Sequence, residues 1–102
     1  MIYLDENNYS EITSKGVVVV DFYADWCAPC KMLAPVFEEA GAAFSGRAVL
    51  AKLNIDSCKS IAIENRVMGI PTILFFKDGV LADRVTGVID QSTLYSKIEA
   101  LL

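Results

Sequence analysis

The chain has 102 residues, 54% of them apolar, a net charge of −4, three cysteines and no histidine. This length makes a single domain spanning 1–102, which buries roughly two thirds of its unfolded surface and needs no disulfide framework. The acidic balance argues against nucleic acid as a partner, the apolar runs are too short to span a membrane, and the odd cysteine count excludes complete pairing within the chain.

In chain order, Ile2–Leu4 reads as a short strand and the stretch NNYSEITS as a short helix. Met1 runs into IYLDENNYSE without a basic segment leading into an apolar one. No secretory signal is expected, and the cytosol, where thiols stay reduced, is the expected location. VVVVDFYA is the clearest strand, because four consecutive valines imply burial on both faces, as in a central parallel strand. The period then changes. Leu33, Phe37, Ala40 and Phe44 form one helical stripe, and the helix opens between Cys27 and Pro29, where proline suits a first turn. Pro35 inside it removes one backbone hydrogen bond and predicts a kink. AVLAKLNID reads as a strand, followed by a short helix capped by Asp56 or Ser57. TILFFKDGVLADRVTG reads as two strands joined at Asp78-Gly79, a strong hairpin signal. Asp90 caps a last helix whose Leu94, Ile98, Leu101 and Leu102 are expected to face inward. The sum, β-α-β-α-β-α-β-β-α, predicts an α/β fold whose sheet is mainly parallel and covered on both faces, with an antiparallel pair at the end.

DWCAPCKML holds two of the three cysteines with two residues between them. Cys27 falls where a helix leaves the carboxyl end of a central strand, the edge at which α/β sheets build sites. Unpaired N–H groups and the helix dipole favour an anion there, so a Cys27 thiolate is stabilised, with Lys31 one turn on. Side chains three apart on a helix have Cβ atoms about 5–6 Å apart. A disulfide wants about 3.8 Å, so on helical spacing the bond closes only with some strain. Pro29 stiffens the turn and Trp26 offers a flat apolar contact beside it. The pair suits a cycling disulfide. Two other readings stand beside it. A structural zinc site wants four ligands and finds only Cys58 as a further sulfur. Two merely buried cysteines fit poorly with Trp-Cys-x-Pro-Cys at a helix start.

VDFYADWCAPCK, followed by GIPTILFF with Pro71 placed 41 residues after Cys30, resembles the thioredoxin family. The resemblance extends over the whole chain, through KLNID, the Asp-Gly hairpin and Gly87. It implies the thioredoxin fold, a five-stranded mixed sheet flanked by four helices, in a monomer that reduces protein disulfides without a bound cofactor. The implied partners are disulfide-containing clients and thioredoxin reductase. Cys27 would attack the client and Cys30 resolve the mixed disulfide. Pro71, which on its own residues reads as a turn in an apolar stretch, would be a cis proline facing the cysteine pair. Ile70 would then offer its backbone to an extended client segment. Trp26, Ala28, Pro29, Gly69, Ile70, Gly87 and Val88 would form the docking rim.

Asp21 follows four valines, where a carboxylate is costly to bury. Either the strand has reached a solvated rim, or the carboxyl is buried with a raised pKa near Cys30, able to take its proton. The resemblance favours the second and makes Lys52 its charge partner. Two departures from the family stand out. Ala28 occupies the usual glycine position between the cysteines, and Tyr23 stands where a second tryptophan is common. Cys58 reads either as a small buried hydrophobe or as an exposed thiol at a helix start. An oxidase or isomerase on the same fold, and a docking module without redox chemistry, are the rival functions.

Overall fold

The computed structural model describes all residues, Met1–Leu102. The elements are β1 (Ile2–Tyr3), α1 (Tyr9–Thr13), β2 (Val17–Tyr23), α2 (Ala28–Ala43), β3 (Val49–Asn54), α3 (Lys59–Glu64), β4 (Thr72–Lys77), β5 (Val80–Thr86) and α4 (Gln91–Glu99). They match the predicted order of strands and helices throughout.

The five strands form one sheet in the order β1-β3-β2-β4-β5. β1, β3 and β2 run parallel, β4 pairs antiparallel with β2, and β5 with β4. The sheet is therefore mixed, with β4 reversed inside it instead of only at the terminal hairpin. The residues of β4 do not encode its direction, because Ile73 and Phe75 face one side and Leu74 and Phe76 the other. A strand apolar on both faces is equally buried whichever way it runs.

The four valines of β2 divide as their alternation requires. Val18 and Val20 join Phe22, Leu53, Leu74 and residues of α3 in one core cluster. Val17 and Val19 join Leu33, Phe37, Ala40 and Phe44 of the α2 stripe, with Leu94 and Ile98 of α4, in the other. The second layer fixes α2 along β2, so the beginning of α2 stands at the carboxyl end of the central strand. That packing positions the site.

The hairpin between β4 and β5 turns on Asp78 and Gly79, with φ of 49° and 86°. Both central residues are left-handed, the conformation that Asp-Gly favours. Asp78 Oδ1 also accepts from the Gly16 N–H at 2.9 Å, tying the turn to the start of β2. Asp90 caps α4 as expected, accepting from the Thr93 N–H at 2.8 Å.

Two end assignments differ from expectation. The residue capping α3 is Cys58, without a side-chain cap bond, and not Asp56 or Ser57. The Asp56 carboxylate is drawn instead to the Trp26 indole. At the other end α4 stops at Glu99, so Leu101 is half-buried and Leu102 is 48% exposed. A stripe drawn at helical spacing past the last turn has no helix to carry it.

Candidate active site

Cys27 is the N-cap of α2, with extended φ and ψ of −90° and 108°. Its Sγ accepts from the Cys30 N–H at 3.2 Å, satisfying one of the donors that a helix start leaves open. Cys27 and Cys30 form a disulfide with their Cα atoms 5.3 Å apart. That separation is ordinary for a disulfide. The spacing of two helical residues does not apply to the pair, because Cys27 lies outside the helical conformation and turns its side chain toward the first turn. Both cysteines are 4% exposed and pack with Ala24, Tyr23, Ile55 and Ile70. Ala28 and Pro29 lie on the surface over them. Trp26 is 68% exposed and donates its indole N–H to Asp56 Oδ2 at 2.9 Å.

The segment before β4 meets this pair from the opposite side. The Ile70–Pro71 peptide bond is cis, and the Ile70 carbonyl oxygen lies 3.8 Å from Cys27 Sγ. Pro71 is buried, and its carbonyl accepts from the Gly87 N–H at 2.8 Å. Gly87 has φ of 102°, a conformation that a side chain would strain. The Thr72 hydroxyl donates to the Gly69 carbonyl, which fixes the other end of the turn. Neither the N–H nor the C=O of Ile70 has a backbone partner. Gly69, Ile70, Pro71 and Gly87 are thus brought together beside Cys27, with the exposed Val88 following Gly87. Met68, which the sequence did not single out, is 95% exposed next to Gly69. An apolar residue directly before Gly-Ile-Pro was its only signal.

Asp21 is wholly buried on the α2 side of β2, and neither carboxylate oxygen has a hydrogen-bond partner. Burial pushes its pKa up to about 7, against the opposing pull of the Lys52 charge. Of the two readings of Asp21, the structure selects the buried one. Lys52 is its register partner on β3 and is itself 8% exposed. Lys52 does not close an ion pair with Asp21, however. Its Nζ lies over the Tyr23 ring, 4.6 Å from the centroid, and 4.0 Å from Glu38 Oε2 on α2. The ammonium prefers an aromatic face and a half-solvated carboxylate over a deeply buried one, and acts on Asp21 from a distance. Tyr23 thus serves as the floor under Lys52. A cavity of about 160 Å³ lined by Tyr23, Cys30, Lys31 and Lys52 places the Lys52 ammonium and Cys30 on one recess.

Cys58 lies in the core cluster of the α1 and α3 face and is not reached by the other two cysteines. Its Sγ lies 3.9 Å from the Leu4 carbonyl oxygen. Burial raises its pKa, and the charges of Glu6 and Asp5 push the same way. The thiol is a core group. Alkylation of the oxidised native protein is expected to leave Cys58 unlabelled until denaturant is added. Labelling at the rate of a free thiol would contradict its burial.

Residues 1–100 match the family model described as thioredoxin. The chain belongs to the thioredoxin family. It is 40% identical to the thioredoxin of Staphylococcus saprophyticus over 99 residues, which cover 97% of this chain and 95% of that protein. It is 42% identical over 91 residues to the chloroplastic M-type thioredoxin of Spinacia oleracea, covering 89% of this chain and 50% of that one. A solved structure of a single-substitution mutant of thioredoxin from Halobacterium salinarum superposes with a TM-score of 0.89 at 37% identity, over 98% of this chain and 88% of that one. The chain has the thioredoxin fold, and with its cysteine pair at bonding distance it is a thiol-disulfide oxidoreductase. The family's chemistry runs on such a pair, its electrons coming from thioredoxin reductase and passing to disulfide substrates. No cluster of three or more His, Cys, Asp or Glu is placed to hold a metal ion, and no helix is long and apolar enough to cross a membrane.

Proposed function

We propose that this single-domain protein is a cytoplasmic, monomeric reductant of protein disulfides, working through Cys27 as nucleophile and Cys30 as resolving thiol. The observation that carries this reading is Cys27 at the N-cap of α2, its sulfur accepting the Cys30 N–H and lying 3.8 Å from the Ile70 carbonyl. The reduced pair places a thiolate at the positive end of a helix, where its charge is stabilised. That thiolate attacks one sulfur of a client disulfide and expels the other as a thiolate, forming a mixed disulfide. Cys30 then loses its proton, attacks Cys27 Sγ and releases the second client thiol. The client gains two electrons, and the Cys27–Cys30 disulfide is the oxidised product. Thioredoxin reductase returns it to the dithiol, so no further cofactor is required.

Asp21 takes the Cys30 proton. A buried carboxylate titrating at about 7 is matched to a base working near neutral pH. Lys52 stabilises its ionised form across the sheet. Pro71 turns the chain so that the unbonded backbone of Ile70 faces an incoming client strand, which it takes up by strand addition. Trp26, Ala28, Pro29, Gly69, Gly87 and Val88 complete the rim around the sulfur.

A Cys30→Ser protein tests this division of roles. It is expected to accumulate a mixed disulfide with a protein client, mapped to Cys27 by mass after digestion and lasting far longer than in the parent. No trapped client in Cys30→Ser, with Cys27→Ser accumulating one at Cys30 instead, would reverse the assignment.

A further inference from the structure

Arg84 lies on β5 and reaches the end of α3. Its Nη2 donates to the Asn65 carbonyl at 2.6 Å and its Nη1 to the Arg66 carbonyl at 3.4 Å. Asn65 is the C-cap of α3, where unpaired carbonyls and the helix dipole favour a cation. Arg66 has φ of 55°, a left-handed conformation disfavoured in a residue with a Cβ. One guanidinium therefore holds both carbonyls flanking the turn at which the chain leaves α3. The neighbouring Asp83 does not compete for it, because its carboxylate accepts from the Arg84 N–H at 2.7 Å and from Lys97 Nζ at 2.8 Å.

Four residues beyond Arg66 the same segment presents Ile70 to Cys27. Its far end is fixed by the Thr72 bond to Gly69 and the Gly87 bond to Pro71. Its near end is held by the Val67 N–H to Ala62 and by Arg84. Between them lie the exposed Met68 and the unbonded backbone of Ile70. We infer that Arg84 is a positioning residue for client docking, pinning Asn65 and Arg66 so that Met68–Ile70 stands ready to pair with a client strand. This rests on the reading of Ile70 as the docking edge. Arg84 has no hydrogen bond to either redox cysteine or to Asp21, so its effect falls on client recognition and leaves the exchange chemistry alone.

The test compares the parent with Arg84→Met and Arg84→Lys on two oxidants, insulin and the small hydroxyethyl disulfide. Arg84→Met is expected to raise KM for insulin about fivefold, the scale of losing a charge-assisted bond at a partly exposed loop, with kcat and the small-disulfide rate unchanged. Arg84→Lys, which can reach only one carbonyl at a time, should fall between. Equal slowing on both oxidants would overturn the inference, because the residue would then support the fold or the chemistry. A second measurement separates this from the docking reading. In a Cys30→Ser protein carrying a cysteine peptide as mixed disulfide, the Ile70 amide should exchange slowly, and faster once Arg84→Met is added. If the Ile70 amide is unprotected in the parent adduct, the docking reading fails and the inference falls with it. If it is protected alike with and without Arg84, and KM is unchanged, docking stands and the role of Arg84 is refuted.

Discussion

Replacing Cys27 by serine is expected to cut protein-disulfide reduction at least about a thousandfold, the scale on which covalent catalysis loses its nucleophile. The fold should survive, because serine is a good N-cap and its oxygen can accept the Cys30 N–H that the sulfur now holds at 3.2 Å. What serine lacks is an ionisable thiol. The helix start stabilises an anion at this position, but a hydroxyl does not ionise near neutral pH and forms no bond to a client sulfur. Cys30 does not replace it: it is buried behind Cys27 and faces the Lys52 cavity instead of the Ile70 carbonyl. Steady-state reduction of insulin, with the unfolding midpoint as a check on the fold, measures the loss. Substantial turnover by Cys27→Ser would show that Cys30 attacks clients directly and that the geometry around Ile70 is not the point of entry.

Asp21→Asn should make the oxidised protein markedly more stable at pH 8 and hardly change it at pH 4. The carboxyl has no hydrogen-bond partner and a folded-state pKa of about 7, against 3.8 when exposed. Below pH 3.8 both folded and unfolded states carry the proton, and Asp21 exacts no charge-burial cost. As the pH rises toward 7 the unfolded chain ionises while the folded one resists, so stability is progressively lost, and the loss levels off above 7. The gap between the two values corresponds to about 4 kcal/mol at full ionisation. Asparagine removes the charge and keeps the shape, so it should recover most of that. Denaturant midpoints at the two pH values read the difference directly. An equal gain at both would mean that packing, and not ionisation, is responsible. If Asp21 takes the Cys30 proton as proposed, the same substitution should flatten the rise in mixed-disulfide resolution through neutral pH.

Much of this was legible because local signals and burial agreed. Four consecutive valines match a strand buried on both faces, and the Leu33–Phe44 stripe matches a helix packed on one of them, so β2 and α2 could be placed from periodicity alone. Trp-Cys-Ala-Pro-Cys on that strand-to-helix junction, with Gly-Ile-Pro-Thr downstream, marks the site in the sequence itself. What stayed hidden depends on distances between segments far apart in the chain. The reversal of β4 left no mark in a strand apolar on both sides. Lys52 was expected at Asp21, yet Tyr23 and Glu38 compete for it, and that competition exists only once β2, β3 and α2 have packed. Arg84 gave no signal at all, being one charged residue in an alternating edge strand. Asp56 looked like a helix cap because its side chain suits one, and a tryptophan 30 residues away claimed it.

The direction of electron flow is tested most directly by titrating the Cys27–Cys30 pair in thiol-disulfide buffers of known potential, with alkylation and mass reading the two forms. Ala28 lies on the surface between the thiols, in the first turn of α2, and adds no charge or hydrogen bond to either sulfur. The expected result is a reversible two-electron couple at or below the cytosolic glutathione poise, about −220 to −260 mV, which a disulfide reductant requires. A couple near about −120 mV, where the dithiol is strongly favoured, would mark a disulfide donor and contradict the reductive role.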